Sequence, residues 1–359
     1  MSGKYVAYVG SYSYTGKAKG ITIYDVNPDK GCFVKKGEVD VDNSSYVIKS
    51  RNQKVLYSIA DEGIVSFNIL PDGGLERLNS VKINGMRGCH LSTDVDDKYI
   101  FVSGYHDGKI TVLRLHEDGS VGDIVDEVYH KGLGSIAERN FRPHVSCTRT
   151  TPDGHFVRTR YTRDRAADLG IDQVKIYHFD DKDETLNLVD MISCKINSAP
   201  RFFEFSKDGK YLYLMYEMKN VIDVFSYEAK PGCRVPSIEK IQTVPTTGSS
   251  KSSELTAATA LSFSADDKFI FVSNAGDESV CLYERDADTG LLKEKMCLPI
   301  SGEYPKDIAV FADNKHIASI NHESGTITFF KIDYKTGLIV MCANSVKVNQ
   351  PNCCVIVEV

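Results

Sequence analysis

Residues 208–215 read DGKYLYLM, and this octet contains the two signals that decide the fold. Asp208 and Gly209 tolerate the backbone angles of a tight hairpin turn, and the alternation of aromatic and aliphatic residues after Lys210 is typical of a β-strand. The same unit occurs seven times along the chain. Its copies are SGKYVAYV (2–9), NQKVLYSI (52–59), DDKYIFVS (96–103), DGHFVRTR (153–160), DGKYLYLM (208–215), DDKFIFVS (266–273) and NKHIASI (314–320).

The spacing of these copies predicts the architecture. Their middle turn residues, which stand 44 to 58 residues apart, are Gly3, Gln53, Asp97, Gly154, Gly209, Asp267 and Asn314. Each copy is followed by a polar turn and a further strand, such as GITIYDV at 20–26. Four short strands fit each interval. The sequence therefore predicts an all-β, seven-bladed β-propeller with four antiparallel strands per blade, as a single domain over residues 1–359.

The two ends of the repeat array predict how the ring closes. The first copy begins at residue 2, which leaves no room for an inner strand before it, whereas CCVIVEV at 353–359 is a strand with no blade of its own. A ring of blades has two open sheet edges unless these segments meet. We therefore expect Cys353–Val359 to pair with Tyr5–Gly10 as the inner strand of the first blade.

Composition limits the classes of partner. The formal net charge is −6 and the pI about 5.9, which argues against nucleic acid and anionic membranes as partners. No apolar run reaches the length of a signal-peptide core or a membrane span. The ten cysteines are scattered and form no CxxC pair, so we expect reduced thiols, a cytoplasmic location and no metal site.

Polar residues recur at one mouth of the predicted channel. The segments just before the inner strands and just after the second strands of a propeller share one face, and both carry charged side chains here. Bases precede inner strands in RGCH (87–90), RPH (142–144), APR (199–201) and YPK (304–306), and carboxylates follow second strands. A proline fixes φ just before three of these bases. The pattern predicts a site for a small anionic ligand at this mouth.

Longer stretches resemble a known family. They are YVGSYS near the start, RPHVSCTRTTPDGHF, DLGIDQVKIY, APRFFEFSKDGKYLYLMYE, ALSFSADDKFIFVSNAGDESV and YPKDIAVFADNKHIASINHESGTITFFKID. Together they are similar to the seven-bladed β-propeller lactonases, a family that includes 6-phosphogluconolactonases and 3-carboxymuconate lactonizing enzymes. The resemblance covers essentially the whole chain.

The resemblance implies an active-site set of His144, Arg201 and Glu217. It also shows departures from the family pattern: Ala275 stands where a basic residue is expected, Lys306 replaces an arginine, and Ser146 replaces a second histidine. The implied activity is metal-independent and cofactor-independent hydrolysis of a phosphorylated sugar lactone, with 6-phosphogluconolactone of the pentose phosphate pathway as the first candidate. The protein is expected to be a monomer or a weak homo-oligomer.

Lactone hydrolysis needs a base for water, a cationic or donor group for the oxyanion, and an anchor for the rest of the substrate. Glu217 or His144 can act as the base, and the guanidinium of Arg201 suits an oxyanion, a carboxylate or a phosphate. Candidate substrate-binding residues at the same mouth are His90, Arg142, Asp168, Lys306 and His322. No GxSxG motif is present, which argues against a serine hydrolase.

Two other functions remain open from the sequence. The same side chains could serve a cycloisomerase that acts on a carboxylated muconolactone, or the propeller could bind a ligand or a protein without catalysis, since fold does not fix function. One segment fits no repeat: residues 158–167 contain four arginines, which are hard to bury unpaired. We expect this segment to be looped out of the fourth blade.

Overall fold

The turn residues identified in the sequence adopt the backbone conformation that their chemistry favours. The computed structural model describes residues 3–134, 141–152, 161–230, 235–248 and 255–359, with backbone only for 161–165. Of the seven middle turn residues, five have φ between 53° and 71°, and these are Gln53, Asp97, Gly209, Asp267 and Asn314. Gly154 lies outside the described residues. Glycine, asparagine and aspartate populate this left-handed region at low cost.

These turns join the strands of seven four-stranded antiparallel sheets within the described residues, as predicted. The first three blades, from the channel outward, contain β28 (Pro351–Glu358), β1 (Tyr5–Ser11), β2 (Gly20–Asn27) and β3 (Cys32–Asp40); β4 (Val47–Lys49), β5 (Val55–Ala60), β6 (Gly63–Ile69) and β7 (Leu75–Lys82); and β8 (His90–Thr93), β9 (Tyr99–Gly104), β10 (Lys109–Leu115) and β11 (Val121–Tyr129).

The other four blades repeat this order. They contain β12 (Val145–Thr150), β13 (Tyr161–Asp168), β14 (Gln173–Asp180) and β15 (Thr185–Ser193); β16 (Pro200–Phe205), β17 (Tyr211–Tyr216), β18 (Val221–Glu228) and β19 (Ser237–Pro245); β20 (Ala257–Phe263), β21 (Phe269–Ala275), β22 (Ser279–Arg285) and β23 (Leu292–Pro299); and β24 (Pro305–Val310), β25 (His316–Asn321), β26 (Thr326–Asp333) and β27 (Leu338–Lys347). A 3-10 turn, Leu169–Ile171, follows β13.

The ring closes as the sequence predicts. Strand β28 pairs antiparallel with β1, and Tyr5 stands opposite Glu358 and Val9 opposite Cys354. The first blade therefore takes its inner strand from the far end of the chain. This pairing gives the inner edge of β1 a hydrogen-bonding partner and leaves no gap between the seventh and first blades.

The core is divided among the interfaces between blades. Seven clusters of buried apolar side chains are found among the described residues, and each one joins two neighbouring blades. Strand β1 shows how one strand serves two interfaces. Val6 and Tyr8 pack toward the second blade, and Ala7 and Val9 pack toward the seventh. Because side chains alternate across a strand, a blade that is buried on both faces needs apolar residues at successive positions.

The prediction for the arginine-rich segment is wrong in its larger part. Residues 161–167 belong to strand β13, which pairs with β14 along its whole length and with β12 from residue 164 onward. Residues 158–160 lie outside the described residues. The physical reason is the pairing requirement of the neighbours: without β13, the facing edges of β12 and β14 would have unpaired N–H and C=O groups inside the blade. That requirement outweighs the unfavourable composition of the segment.

The expectation of reduced thiols is wrong for one pair. Cys281 on β22 and Cys297 on β23 stand opposite each other and form a disulfide. Seven further cysteines in the described part of the chain are free. No helix among the described residues is long and apolar enough to cross a membrane.

Candidate active site in the central channel

The inner strands of all seven blades line one cavity of ≈ 930 Å³. Four of the eight candidate residues line it, namely His90, Arg201, Glu217 and Lys306. The other four candidates are not among the described residues that line the cavity, and these are His144, Arg142, Asp168 and His322. The basic mouth that the sequence predicts therefore contributes to the cavity through part of its residues only.

A β-bulge near the start of an inner strand recurs in five blades. In each case the strand pairing skips one inner-strand residue. The skipped residues, all of which line the cavity, are Ser146, Arg201, Thr259, Lys306 and Asn352. A bulge re-aims a side chain out of the regular alternation of a strand. The site is thus built from one irregular position that the fold repeats.

Each of four bulge residues forms a hydrogen bond with the inner strand of the next blade around the channel. Ser146 donates to the carbonyl oxygen of Pro200 at 3.2 Å, and Arg201 Nε donates to the carbonyl oxygen of Thr259 at 3.2 Å. The hydroxyl of Thr259 donates to the carbonyl oxygen of Pro305. Lys306 Nζ donates to Asn352 Oδ1 at 2.7 Å. Each contact crosses to the next blade, so the position of every bulge residue depends on its neighbour.

Arg201 and Glu217 form an ion pair in this channel. Arg201 begins the fifth blade's inner strand, Glu217 follows the second strand, and the pairing of Pro200 with Tyr216 brings the two side chains together. Arg201 Nη1 donates to Glu217 Oε2. The side chains of Arg201 and Glu217 are 26% and 5% exposed. Burial acts to lower the pKa of Arg201, but the interactions that raise it, of which that with the Glu217 carboxylate is the largest, together outweigh burial and the pKa is raised.

A second cationic group lies beside this pair. Lys306 Nζ lies 5.1 Å from the ring centroid of Tyr12, and the guanidinium of Arg87 lies 4.9 Å from the same ring. The pKa of Lys306 is lowered to about 8, first by burial and then by the charge of Arg201, with a smaller contribution from Arg87 and against the opposing effects of Cys353 and Glu323. Arg87 has a carboxylate partner in Asp61 at 2.7 Å. Three cationic side chains thus converge at this mouth.

His144 is held beside the cavity by a separate set of contacts. Its ring stacks on Tyr105 with centroids 4.2 Å apart, and Nδ1 bonds to the carbonyl oxygen of Tyr105 at 2.5 Å. Because a carbonyl oxygen can only accept, Nδ1 carries a proton, which leaves Nε2 as the nitrogen able to take one up. The sequence places His144 at the same blade position as Arg201 and Lys306, because all three follow a proline. The structure gives that position to Ser146, two residues later.

Asp168 and Arg142 do not lie where substrate-binding residues were expected. Asp168 is completely buried and accepts hydrogen bonds from the backbone N–H groups of His144 at 2.8 Å and Gly170 at 3.1 Å. Its other oxygen bonds to His130 Nδ1 at 2.6 Å. Arg142 is exposed. Asp168 therefore organises the loop that holds His144, and it does so with its carboxylate buried.

The two remaining candidates differ in their access to the cavity. His90 is 2% exposed and packs against Tyr46 and Phe202, with ring centroids 4.8 and 5.9 Å away. Burial holds its pKa well below the usual value, so its ring is neutral at pH 7. His322 bonds through Nδ1 to the carbonyl oxygen of Pro351 at 3.0 Å. Its pKa is lowered by burial and then by the charge of Lys306.

Sequence reasoning missed several residues of the channel. Arg87 and Tyr304 stand in segments that the basic pattern already marks, and Tyr12 follows the second strand of the first blade, where the same pattern could have found it. Deeper in the channel, Arg149 Nη2 forms an ion pair with Glu204 Oε2 at 2.9 Å. These two residues lie in different blades, and no local spacing connects them.

The described residues contain no group of three or more His, Cys, Asp and Glu side chains that could hold a metal ion. The expectation of metal independence stays a prediction that a chelator can test.

Known proteins resemble this chain over its whole length. Residues 6–356 match the family described as lactonase, 7-bladed beta-propeller. A 6-phosphogluconolactonase of Bacillus subtilis is 29% identical over 356 residues, which cover 98% of this chain and 97% of that protein. An uncharacterized protein of Staphylococcus aureus is 28% identical over 359 residues, with 97% and 98% coverage.

Two solved structures share the fold at similar identity. A putative 6-phosphogluconolactonase of Bacteroides fragilis has a TM-score of 0.87 and 27% identity, with 99% of each chain covered. PpgL, a periplasmic gluconolactonase of Pseudomonas aeruginosa, has a TM-score of 0.89 and 25% identity, also with 99% of each chain covered. The similarity therefore extends over the entire ring.

Proposed function

Because the chain belongs to the family of seven-bladed β-propeller lactonases, we propose that it hydrolyses a sugar lactone, with 6-phosphogluconolactone as the first substrate to test. The observation that carries this proposal is the Arg201–Glu217 ion pair in a channel that also contains Lys306 and Arg87. The pair supplies a carboxylate base next to a fixed cation, and the other two side chains supply positive charge for an anionic substrate. The Bacillus subtilis relative, named for this substrate, supports the choice.

In the proposed reaction, Glu217 accepts a proton from a water molecule whose oxygen attacks the lactone carbonyl carbon. The carbonyl oxygen becomes an oxyanion, which the guanidinium of Arg201 stabilises. The bond between the carbonyl carbon and the ring oxygen then breaks, and the ring oxygen takes the proton from Glu217. The product at this point is an open-chain carboxylic acid, which loses its proton to solvent and becomes a carboxylate at neutral pH.

Arg201 has enough donors for this role. Its Nε–H group is used by the carbonyl oxygen of Thr259 and one Nη1–H group by Glu217. A guanidinium has five N–H donors in a planar fork, so the remaining donors are available to a carbonyl oxygen or a carboxylate. The ion pair fixes the orientation of both partners before the substrate arrives, which reduces the reorganisation needed in the transition state.

The cations beside the pair fit the phosphate of the substrate. Lys306 and Arg87 flank Tyr12, and a phosphate group would form charge-assisted hydrogen bonds with such side chains. His144 is the second candidate base, because its Nδ1 is held by a carbonyl oxygen and Nε2 is the nitrogen left to accept a proton. Its position beside Tyr105, which lines the cavity, favours a role at the edge of the substrate.

The proposal is tested by measuring opening of 6-phosphogluconolactone after subtraction of spontaneous hydrolysis. We expect Arg201→Ala to lower kcat/KM by the equivalent of about 2–4 kcal/mol, the usual effect of losing one oxyanion donor. Glu217→Gln preserves shape but removes the base, so kcat should fall more than KM rises. A chelator should leave the rate unchanged.

The matched control is Arg51→Ala, which removes an exposed arginine from the turn before β5. It should retain the wild-type rate. Wild-type rates in both Arg201→Ala and Glu217→Gln would contradict the site assignment. A wild-type protein that shows no rate above the spontaneous reaction would contradict the proposed activity itself.

A further inference from the structure

Lys306 occupies an unusual electrostatic position for a lysine. Its ammonium group donates to the side-chain oxygen of Asn352 at 2.7 Å and lies over the ring of Tyr12. Among the described residues, no carboxylate lies within ion-pair distance of Nζ, whereas Arg201 and Arg87 lie close enough to repel it. Burial and the charge of Arg201 therefore favour the neutral form of the half-buried amine, and the opposing effects of Cys353 and Glu323 do not cancel them.

Asn352 adds an independent sign of a missing ligand. Its side chain is 4% exposed and lines the channel, and its oxygen is occupied by Lys306. In the part of the chain that the structure describes, its Nδ2 has no hydrogen-bond acceptor. A buried donor without a partner costs free energy unless a ligand or water satisfies it. The amide N–H groups and the Lys306 ammonium together offer donors to an anion.

We propose that Lys306 is a titratable anchor for an anionic group. The channel binds the anion while Lys306 is protonated and releases it when Lys306 loses its proton. The proposal deepens the proposed function and rests on it for the identity of the anion, the phosphate group of the lactone and of its open-chain product. Arginine at this position would stay charged at every physiological pH, so the pH response is a consequence of lysine.

The groups that face Lys306 come from several elements. The groups that interact with Lys306 are Arg87 before β8, Arg201 on β16, His322 and Glu323 after β25, Cys353 on β28, and the ring of Tyr12. Asp307 is the next residue on β24. Burial raises the pKa of Asp307 to about 6 and that of Cys353 to about 12. The pKa of His322 is lowered from 6.5 and that of Tyr12 is raised from 10.0, in both cases by burial first. With its pKa at about 8, Lys306 titrates between pH 7 and pH 9.

Binding should also move a proton. An anion next to Nζ stabilises the ammonium form, so the protein takes up a proton when the anion binds near pH 8. An arginine in the same place could not do so. Proton uptake is therefore a signature that separates a titratable anchor from a fixed positive charge.

The experiment uses sulfate as the probe, because its charge is constant between pH 7 and pH 9 whereas that of a phosphate monoester changes near pH 6. Titration calorimetry at pH 7 and pH 9 should show affinity about tenfold weaker at pH 9, the ratio expected for a group that titrates near pH 8. At pH 8, titrations in two buffers of different ionisation enthalpy should reveal proton uptake.

Three variants make the result specific. Lys306→Arg should bind sulfate with little change between pH 7 and pH 9 and without proton uptake, and Lys306→Met should bind weakly at both. Lys182→Met removes an exposed lysine of the fourth blade and should behave as the wild type. A Lys306→Arg variant with the wild-type pH response, a Lys306→Met variant with wild-type affinity, or a wild type that does not bind sulfate at pH 7 would overturn the proposal.

The outcome is distinguishable from that of the hydrolysis assay, because sulfate binding needs no turnover. If the lactone is not hydrolysed but sulfate binding shows the Lys306 signature, the titratable anchor stands and the proposed function fails. If hydrolysis is found and sulfate binding has no such signature, the proposed function stands and the anchor fails.

Discussion

At the scale of one residue, Asp307 links two inner strands by hydrogen bonds although its buried carboxylate is costly to ionise. Its two carboxylate oxygens accept the N–H groups of Ile308 at 2.9 Å and of Cys354 at 2.8 Å, so the residue connects the inner strands of the seventh and first blades. Burial nevertheless raises the pKa of Asp307 to about 6, against the opposing effect of those two N–H groups. The ionised form is therefore unfavourable in the folded protein.

This cost predicts a pH dependence of stability. An acid whose pKa is higher in the folded than in the unfolded state stabilises the fold below its unfolded pKa, and that contribution is lost as pH rises to the folded value, here from about 4 to about 6. Asp307→Asn removes the effect. Whatever its absolute stability, the free energy of unfolding of the variant relative to wild type should increase from pH 4 to pH 7. Urea denaturation at several pH values measures this difference, and a constant or decreasing difference would contradict it.

Individual site residues could be predicted where they stand at a position that recurs in several blades. Arg201 and Lys306 follow a proline at the start of an inner strand, and the sequence marks both. The same pattern misplaces His144, because a bulge shifts the equivalent position to Ser146. Arg149 and Glu204 could not be paired from sequence, since only the arrangement of blades brings them together.

At the scale of elements, the loop between β13 and β14 depends on one buried network. Asp168 ends β13 and caps the 3-10 turn that follows it. His130 donates from Nδ1 to Asp168 and accepts from the hydroxyl of Tyr177 at Nε2, 2.9 Å away. Burial lowers the pKa of His130 although the Asp168 carboxylate acts in the opposite direction, which agrees with a neutral ring. The network also holds the backbone of His144.

Replacing this carboxylate should destabilise the fold. Asp168→Ala leaves two backbone N–H groups and the His130 ring without their acceptor, and we expect a loss of about 3 kcal/mol in the free energy of unfolding. Asp181→Ala, which changes an exposed aspartate on the next turn, should stay within about 0.5 kcal/mol of wild type. Urea denaturation compares the two. Equal stability of the variants would show that the network contributes nothing.

Elements were predicted well where local chemistry decides them and poorly where neighbours do. The turns follow from asparagine, aspartate and glycine, which suit the angles found there. Strand β13 was predicted to be a loop from its arginines, but the edges of β12 and β14 require a strand between them. Composition is a poor predictor of secondary structure for a segment whose backbone groups form hydrogen bonds with strands on both sides.

At the scale of the whole molecule, the ring is closed by one strand of eight residues, β28. Strand β28 contacts β1 by hydrogen bonds, contributes Cys353 and Val357 to the cluster with the second blade, and carries Asn352. Every other blade is contiguous in sequence. The stability of all seven interfaces therefore depends on one pairing between distant segments.

Deleting residues 351–359 should abolish the folded ring. The truncation exposes the inner edge of β1 and removes apolar contacts on both sides of it, so we expect aggregation or loss of a cooperative thermal transition. Deletion of Val359 alone removes one backbone hydrogen bond to Lys4 and should preserve the transition. A peptide of residues 350–359 added to the longer truncation should restore it. Unchanged melting of that truncation would contradict the closure.

The overall fold was predictable because its signal is repeated seven times. The cytoplasmic location and the monomeric or weakly oligomeric state stay predictions, which cell fractionation and light scattering can test. The disulfide between Cys281 and Cys297 was not expected, since the two cysteines are 16 residues apart and meet only through the pairing of β22 with β23.

The closing strand also imposes an order on biosynthesis. The ribosome makes β1, β2 and β3 first, but the inner strand of their blade is made after the other twenty-seven strands of the described residues. During translation, the inner edge of β1 stays without its β28 partner until the other six blades have been synthesised. An unpaired strand edge is prone to pair with a wrong strand. Asn352 arrives with the same strand, so the channel acquires its Lys306 partner only when the ring shuts. A partly made chain accordingly lacks the closed ring and Asn352, so we expect the proposed anion site to be complete only after the ring has closed.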